Sequence, residues 1–304
     1  MIAIDLGSNT IRFLAVDQSG KTLWEKQFTT RTAENLTRSG AISQAALKRI
    51  AEAIAAARSE FDFSSRAIAA VATEAFRRAV NQSDALRFLR ENCGVDFEVI
   101  SPCVEAKLTA SAAGESAIKH GLKPPFITLD IGGASSEIAY INGDIFRFVS
   151  LPIGIVTVAE RSFSDDELND FLDGALSLIA PFKSEIASFP KARFLIATSG
   201  VPTTLAAIKL GLTYETYDKK IVNGARLDAA PIMNARETLS SLDKSELERL
   251  TGKDRGDLVI TGAAMLARFM RELEYETATV FDEGLREGVA ANALANGGVL
   301  ALKS

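Results

Sequence analysis

Short apolar runs separated by turn residues dominate the first third of the chain. Several of these runs alternate apolar and polar positions, and the tripeptide Gln18-Ser19-Gly20 separates two of them. This pattern is typical of β-strands that are joined by tight turns. Strands are therefore predicted at 1–6, 11–17, 21–29, 67–73 and 97–101.

Apolar residues at helical spacing occur between these predicted strands. Ala46 and Ile50 fall on one face of a segment that Ser43 can cap and that runs to about residue 59. Ser83 can cap a second helix, which ends near Gly94. Further helices are predicted at 104–117, from a cap at Ser164 onward, at 258–273 and at the C-terminal end.

Gly121, Pro124 and Pro125 interrupt the pattern and are the best candidate for a domain boundary. We therefore predict two domains, 1–120 and 121–304. In the second, the dipeptide Asn142-Gly143 favours a type I′ hairpin turn between two strands. Hairpins mixed with alternating strands and helices indicate an α/β protein. Strands are predicted here at 126–130, 136–141, 144–150, 193–197 and 277–281.

An internal repeat is the most informative feature of the chain. The segment 3–17 reads A-I-D-L-G-S-N-T-I-R-F-L-A-V-D, and the segment 128–142 reads T-L-D-I-G-G-A-S-S-E-I-A-Y-I-N. Each is a strand that ends in Asp, then one apolar residue, glycine, small polar residues and a second strand. We expect two similar domains that face a shared cleft.

The repeated turns have the chemistry of an anion site. A glycine-bearing turn after a buried strand leaves backbone N–H groups free to bind phosphate oxygens. Asp5 and Asp130 stand where each strand meets its turn, in position to hold a cation or to orient water. The predicted phosphate-binding residues are Gly7, Ser8, Asn9, Thr10, Gly132, Gly133, Ala134, Ser135 and Ser136.

Composition and charge narrow the function. A formal net charge of −5 gives no general attraction for nucleic acid or anionic membranes. The chain has one histidine, His120, which excludes a metal site built from several histidines. Its two cysteines, Cys93 and Cys103, are expected to be reduced. With no signal peptide pattern and no long apolar run, a cytoplasmic, soluble protein is expected.

Eight segments resemble, in order, the motifs of the exopolyphosphatase/guanosine pentaphosphate phosphatase family, a branch of the actin-like ATPase superfamily. They span nearly the whole chain, so together they are far more specific than any one motif. The segments are D-L-G-S-N-T-I-R-F at 5–13, A-T-E-A-F-R-R-A-V-N at 72–81, E-V-I-S-P-C-V-E-A-K-L at 98–108, D-I-G-G-A-S-S-E at 130–137, S-L-P-I-G at 150–154, T-S-G-V-P-T-T-L-A at 198–206, R-G-D-L-V-I-T-G-A at 255–263 and G-L-R-E-G at 284–288.

The resemblance implies two actin-like (ribonuclease H-like) domains, each a mixed β-sheet flanked by helices, with a cleft between them. It also implies a hydrolase that releases terminal phosphate from linear polyphosphate, guanosine pentaphosphate or both. Glu105 would activate the attacking water, and Arg77 would contact substrate phosphate. Asp130, Glu137 and Asp5 would hold Mg²⁺, with Mn²⁺ as an alternative ion. The family tends to form homodimers.

Four departures from the family pattern bear on the expected substrate contacts. Ala134 stands where the family usually has a third glycine, Lys107 replaces an arginine after the catalytic glutamate, and Asn223 stands where histidine is common. Pro102-Cys103-Val104 replaces an acidic stretch. The resemblance further implies a short, two-domain form without the C-terminal helical domains of longer relatives.

Several assignments stay open at this stage. The sequence does not rank polyphosphate against guanosine pentaphosphate. The rival functions are an actin-like kinase of a small metabolite and a non-catalytic phosphate or nucleotide sensor. The residues with open roles are Arg12, on an outward strand face or at the phosphate; Ser199 and Gly200, in an adenosine-side loop that has lost its role or kept it; Arg255 and Asp257, an ion pair or a substrate contact; and Arg286 and Glu287, which we expect to be structural.

Overall fold

The computed structural model describes residues 1–161 and 165–302 and shows an α/β protein. The chain forms two compact units, one of Met1–Ala112 together with the segment that begins at Leu285, and one of Ala113–Gly284. The predicted helix cap Ser164 lies outside the described residues. Within the described part, no helix is both long and apolar enough to cross a membrane.

The first unit contains a mixed sheet and the helices around it. In chain order its elements are β1 (Ile2–Leu6), β2 (Thr10–Val16), β3 (Thr22–Thr29), α1 (Leu36–Ser39), α2 (Gln44–Glu60), β4 (Ile68–Ala72), α3 (Glu74–Arg78), α4 (Gln82–Cys93), β5 (Glu98–Val99) and α5 (Pro102–Lys119), whose last turns belong to the second unit. The strand order is β3-β2-β1-β4-β5. Strands β1 to β3 form antiparallel pairs, and β4 and β5 are added in parallel.

The second unit repeats this arrangement. Its elements are β6 (Phe126–Ile131), β7 (Ser136–Asn142), β8 (Ile145–Leu151), α6 (Ile155–Ala159), α7 (Asp165–Leu176), a 3₁₀ turn (Ser177–Ile179), α8 (Ala180–Ile186), β9 (Phe194–Thr198), α9 (Gly200–Lys209), α10 (Lys219–Val222), β10 (Arg226–Asp228), α11 (Ala229–Ser241), α12 (Lys244–Thr251), α13 (Gly256–Glu272) and β11 (Thr277–Val280). The order β10-β11-β9-β6-β7-β8 again joins an antiparallel meander, β6 to β8, to parallel strands β9 and β11.

The last helix, α14 (Leu285–Ala295), belongs to the first unit. The sequence assigned it to the second domain, and the structure differs because its apolar face is buried on the first sheet. Val289 packs in one core with Leu14 and Val71. A Cβ on Gly288 would lie 2.3 Å from the carbonyl oxygen of Leu108, so this helix approaches α5 too closely for any side chain there.

Most predicted elements are present, and two local predictions are wrong. Helix α4 begins after Asn81, not at a Ser83 cap. The Asn81 side chain accepts a hydrogen bond from the N–H of Ile42 and donates one to the Ile42 carbonyl. The β7–β8 turn is Gly143-Asp144, because Asn142 pairs with Ile145 as the last residue of its strand. Gly143 supplies the positive φ of +58° in this turn.

Ser43 does cap α2, since its side chain accepts a hydrogen bond from the N–H of Ala46 at 3.1 Å. Gly94 ends α4 at a φ of +60°, as the sequence predicted. The large core of the second unit lies between its sheet and helices that include α9 and α13. Leu129, Leu195, Met265 and Phe269 are fully buried there.

Candidate active site

The two repeated turns have the same backbone geometry. In the first unit, the N–H of Gly7 donates to the carbonyl of Thr10 at 2.9 Å. In the second, the N–H of Gly132 donates to the carbonyl of Ser135, also at 2.9 Å. Each turn connects the central strand of its sheet to the antiparallel neighbour. The repeat read from the sequence is therefore a repeat of backbone conformation.

The first turn is held by its carbonyl groups. The carbonyl of Asn9 accepts bonds from the N–H groups of Thr30 and Arg31, both at 2.9 Å, and the carbonyl of Ser8 accepts from Ala33 at 2.8 Å. Over the described ranges, the N–H groups of Ser8 and Asn9 have no acceptor. These two donors are therefore available to an anion, and buried Asn9 Oδ1 also has no hydrogen-bond partner.

The second turn is fixed in the same way by α6. The carbonyls of Gly132 and Gly133 accept from the N–H groups of Ile155 at 3.0 Å and Val156 at 2.8 Å. A Cβ on Gly154 would lie 2.3 Å from the nitrogen of Ala134, so the two segments touch backbone to backbone.

The donors of the second turn are arranged like those of the first. The N–H groups of Gly133, Ala134 and Ser135 have no acceptor within the part of the chain that the structure covers. Ala134 is buried and is not among the residues with positive φ, so an alanine fits this position without backbone strain. The Ser136 hydroxyl is fully buried and donates to the carbonyl of Ile153 at 2.7 Å, which supports the turn from behind.

Two carboxylates lie side by side next to the second turn. Asp130 on β6 is directly opposite Glu137 on β7, and Ser150 on β8 donates its hydroxyl to Glu137 Oε1 at 2.8 Å. Glu137 is 4 % exposed. Opposed like charges on neighbouring strands are destabilising, and a cation between them would remove that cost.

Two carboxylate groups suit Mg²⁺, which takes oxygen ligands and completes its shell with waters and substrate phosphate. Among the described residues, no group of three or more His, Cys, Asp or Glu side chains is arranged to hold a metal ion. The protein itself would therefore supply two ligands at this position, and the rest of the shell would come from water and substrate.

Asp5 occupies the equivalent position in the first sheet but has a different neighbour. It is buried on β1 and lies opposite Arg12 on β2, with Val71 on its other side. Arg12 therefore stands where the second unit has Glu137. In the first sheet the facing residues Asp5 and Arg12 have opposite charges, whereas in the second sheet the facing residues Asp130 and Glu137 have like charges.

Glu105 and Arg77 form a largely buried ion pair in the first unit. Arg77 Nη1 donates to Glu105 Oε2 at 2.7 Å and to the carbonyl of Ile100 at 2.9 Å, and its Nε donates to Glu74 Oε2 at 2.8 Å. Burial lowers the pKa of the Arg77 guanidinium, but the carboxylates of Glu105 and Glu74 outweigh it, so the pKa is raised. Arg77 Nη2 is 2.8 Å from Glu74 but is not aligned for a hydrogen bond, which leaves one buried donor.

Glu74 is the partner that the sequence reasoning missed. It lies three residues before Arg77 on helix α3, a spacing at which oppositely charged side chains meet. That spacing was the available signal. Ile100 had no comparable signal, because its contribution is a backbone carbonyl that follows the short strand β5.

The remaining candidates have mainly structural contacts. Arg286 bridges Glu25 at 2.9 Å and Glu287 at 2.7 Å, as expected for a structural residue. Asn223 donates its amide to both carboxylate oxygens of Glu283, at 3.0 and 2.9 Å. The asparagine in place of the family's histidine therefore ties two loops of the second unit together.

His120 and Arg255 lie in the second unit. The His120 side chain is exposed, packs on Phe281 and contacts the carbonyl of Ser116 at 2.8 Å. Arg255 lies over the ring of Tyr214 at 5.5 Å, a packing contact. Within the described segments, Cys93 and Cys103 are not joined in a disulfide.

The fold and the repeated turn define the class of the protein. Each unit is an antiparallel meander extended by parallel strands, with a glycine-bearing turn between its first two strands. This is the actin-like, ribonuclease H-like architecture that the sequence resemblance implied, and the predicted fold class is confirmed.

Comparison with known proteins places the chain within that class. A sequence model of the Ppx/GppA phosphatase family matches residues 14–296, and the chain belongs to this family. It is 29% identical over 308 residues to exopolyphosphatase 1 of Mycobacterium leprae (strain TN), covering 94% of this chain and 87% of that protein. The predicted enzyme class, a phosphoanhydride hydrolase, is confirmed at the level of the family.

Two further relatives bear on the fold and on the substrate. The chain is 29% identical over 293 residues to a guanosine-5'-triphosphate,3'-diphosphate pyrophosphatase of Pseudoalteromonas translucida (strain TAC 125), and spans 57% of that protein's length. The crystal structure of the Aquifex aeolicus Ppx/GppA family member is similar with a TM-score of 0.72 at 25% identity, covering 97% of each chain.

Proposed function

We propose that the protein hydrolyses the terminal phosphoanhydride bond of linear polyphosphate, of guanosine pentaphosphate or of both. The observation that carries the proposal is the pair of matched turns with unpaired N–H groups, the second of them beside the Asp130–Glu137 carboxylate pair. Backbone donors of this kind bind phosphate oxygens, and two carboxylates on facing strand positions suit a divalent ion. The names of the M. leprae and P. translucida relatives indicate the two substrate classes.

In this proposal Asp130 and Glu137 hold Mg²⁺. When bound, the ion would neutralise charge on the phosphoryl oxygens and so ease cleavage of the bridging P–O bond. The free N–H groups of Gly133, Ala134 and Ser135 would hold these oxygens by hydrogen bonds. Asp5, opposite Arg12, would orient water or the hydrated ion.

Glu105 is the proposed general base. Its carboxylate would take a proton from a water molecule whose oxygen attacks the terminal phosphorus. The bond from that phosphorus to the bridging oxygen breaks, and the shortened chain leaves with the electron pair. Arg77 already holds Glu105 Oε2 at 2.7 Å, so the guanidinium fixes the direction of the carboxylate.

Arg77 would also contact substrate phosphate, with its guanidinium held in place by the carboxylates of Glu105 and Glu74. A guanidinium suits phosphate because its donors are fixed in one plane and match two phosphate oxygens at once. Two expectations from the sequence stay predictions: a cleft shared by the two units, and a homodimer.

The first experiment measures phosphate release from medium-chain polyphosphate and from guanosine pentaphosphate with Mg²⁺. We expect release from at least one substrate, and a loss of about a hundredfold or more in kcat for Glu105→Gln, the usual scale for a general base. The matched control is Glu115→Gln, since Glu115 lies on the same helix and is exposed. Near-normal turnover by the Glu105 variant would overturn the assignment.

The same assay separates the rival functions. A kinase would require ATP and an acceptor and would form ADP, whereas hydrolysis releases phosphate without either. A sensor would bind polyphosphate or guanosine pentaphosphate without turnover at high enzyme and Mg²⁺ concentrations. No structural observation favours either rival over hydrolysis.

A further inference from the structure

Ser199 has a backbone conformation that side chains rarely adopt. It joins β9 to α9 with φ +82° and ψ 178°. By comparison, Asn35 also has a positive φ but lies in the common left-handed region, at φ +58° and ψ 8°. The region that Ser199 occupies is populated almost only by glycine, and residues held there cluster at functional sites.

Side-chain and backbone hydrogen bonds hold Ser199 in place. Its hydroxyl is buried and donates to the carbonyl of Ile131 at 3.0 Å. Its own carbonyl accepts the hydroxyl of Thr203 at 2.8 Å, in the first turn of α9. The strained residue is therefore anchored on both sides, to strand β6 and to its own helix.

The position of Ile131 gives this hydroxyl its significance. Ile131 is the single residue between Asp130, a proposed metal ligand, and Gly132, which starts the second phosphate turn. Thr198, the residue before Ser199, is the partner of Asp130 in the parallel β6–β9 pair. The Ser199 hydroxyl thus holds the peptide that connects the metal-binding carboxylate to the phosphate-binding N–H groups.

We infer that Ser199 is a positioning residue, whose strained backbone aims its hydroxyl at Ile131 and fixes the second turn relative to Asp130. This inference rests on the proposed function. Glycine would suit the backbone better but would lack the hydroxyl. A serine at this position has an unfavourable backbone conformation, and its hydroxyl forms the hydrogen bond to Ile131.

The test compares Ser199→Ala, which keeps the strain and loses the hydrogen bond, with Ser199→Gly, which loses both. The matched control is Thr251→Ala, because Thr251 is also buried in this unit and donates to a backbone carbonyl of its own helix α12, that of Leu247 at 2.7 Å. For each variant, Tm, kcat, KM and the Mg²⁺ concentration for half-activation are measured. Amide hydrogen exchange is followed at Gly132, Ile155 and Val156, whose N–H groups donate to carbonyls of the second turn.

If Ser199 positions the turn, both Ser199 variants lose about tenfold in kcat and need more Mg²⁺. Amide exchange at the second turn becomes at least about tenfold faster in both. The glycine variant has a Tm equal to or above that of the alanine variant, so activity and stability separate. Thr251→Ala lowers Tm but leaves kcat and exchange at the turn unchanged.

Two outcomes would overturn the inference. The first is a glycine variant with wild-type kcat and wild-type exchange at the second turn. The second is a loss of activity that follows Tm equally in the Ser199 and Thr251 variants. If the wild-type protein releases no phosphate from either substrate, the proposed function fails, and the exchange rates alone then decide whether Ser199 fixes the turn.

Discussion

Removing Arg77 would leave two carboxylates without their cation. The side chains of Arg77, Glu105 and Glu74 are 14, 11 and 15 % exposed, so water does little to solvate the charges. Breaking a buried ion pair by deleting one partner costs roughly 3–5 kcal/mol. Because all three side chains keep some exposure, we expect Arg77→Ala to cost about 3 kcal/mol, at the low end of that range.

A second substitution tests whether the cost comes from the stranded charge. In Arg77→Ala/Glu105→Gln, one of the two carboxylates becomes neutral, so part of the penalty is removed. Glu105→Gln alone keeps an amide oxygen that accepts from Arg77 and should cost only about 1 kcal/mol. The double variant should therefore be more stable than the sum of the single losses predicts, by about 1–2 kcal/mol.

The chain offers a local probe for this measurement. Trp24 is its only tryptophan, and it stacks on Phe61 in the first unit, with ring centroids 5.4 Å apart. Urea unfolding followed by its fluorescence reports on the unit that contains the ion pair, which matters because a protein of two units need not unfold in one step. Losses that add to within about 0.5 kcal/mol would refute the reasoning, since additive effects mean that the residues do not interact.

Two further predictions follow from packing and from burial. Gly154→Ala should disrupt the second turn and reduce both Tm and phosphate release, because its Cβ would meet the backbone nitrogen of Ala134 at 2.3 Å. The control is Gly174→Ala, because Gly174 lies in helix α7 and a Cβ there would meet nothing within 4 Å; this variant should keep wild-type phosphate release and an unchanged or higher Tm. Equal behaviour of the two variants would contradict the packing argument. Burial raises the pKa of Tyr275 from 10.0 to about 12. Because the pKa of Tyr275 is raised in the folded state, its neutral phenol contributes to the free energy of unfolding. This contribution is fully present below pH 10 and is lost as the pH rises through about 12. Urea unfolding should show that the free energy of unfolding declines between pH 10 and about 12, and that the decline is smaller in Tyr275→Phe. An identical decline in both proteins would contradict this assignment to Tyr275.

The sequence predicted the parts of the fold that depend on local pattern. Strand β1, helix α2 with its Ser43 cap and the repeated turns follow from apolar periodicity and from the residues that turns require. The placement of α14 did not follow, because it depends on Val289 meeting Leu14 and Val71 from the other end of the chain. Asn81 shows the same limit, since its side chain serves a segment 39 residues earlier instead of its own helix.

The candidate site shows where motif reasoning stops. Motifs selected Glu105 and Arg77 separately, but not the ion pair between them, which forms across 28 residues of sequence. Ser199 was selected only as part of a loop, because neither its φ of +82° nor its bond to Ile131 is visible in residue type. A serine is an ordinary residue at a helix start, and only the backbone shows that this one is strained.

The two halves of the repeat kept one backbone and diverged in charge. Gly7 and Gly132 make the same bond within their turns, yet the residue opposite the aspartate that both units share is Arg12 in one sheet and Glu137 in the other. Asp5 thus lies opposite a positive side chain, whereas Asp130 lies opposite a second carboxylate that can share a divalent ion with it. Under the proposed function the metal position therefore belongs to the second unit, whereas the proposed base and its guanidinium partner are residues of the first unit. The repeat alone, which shows only what the two units share, does not predict this division.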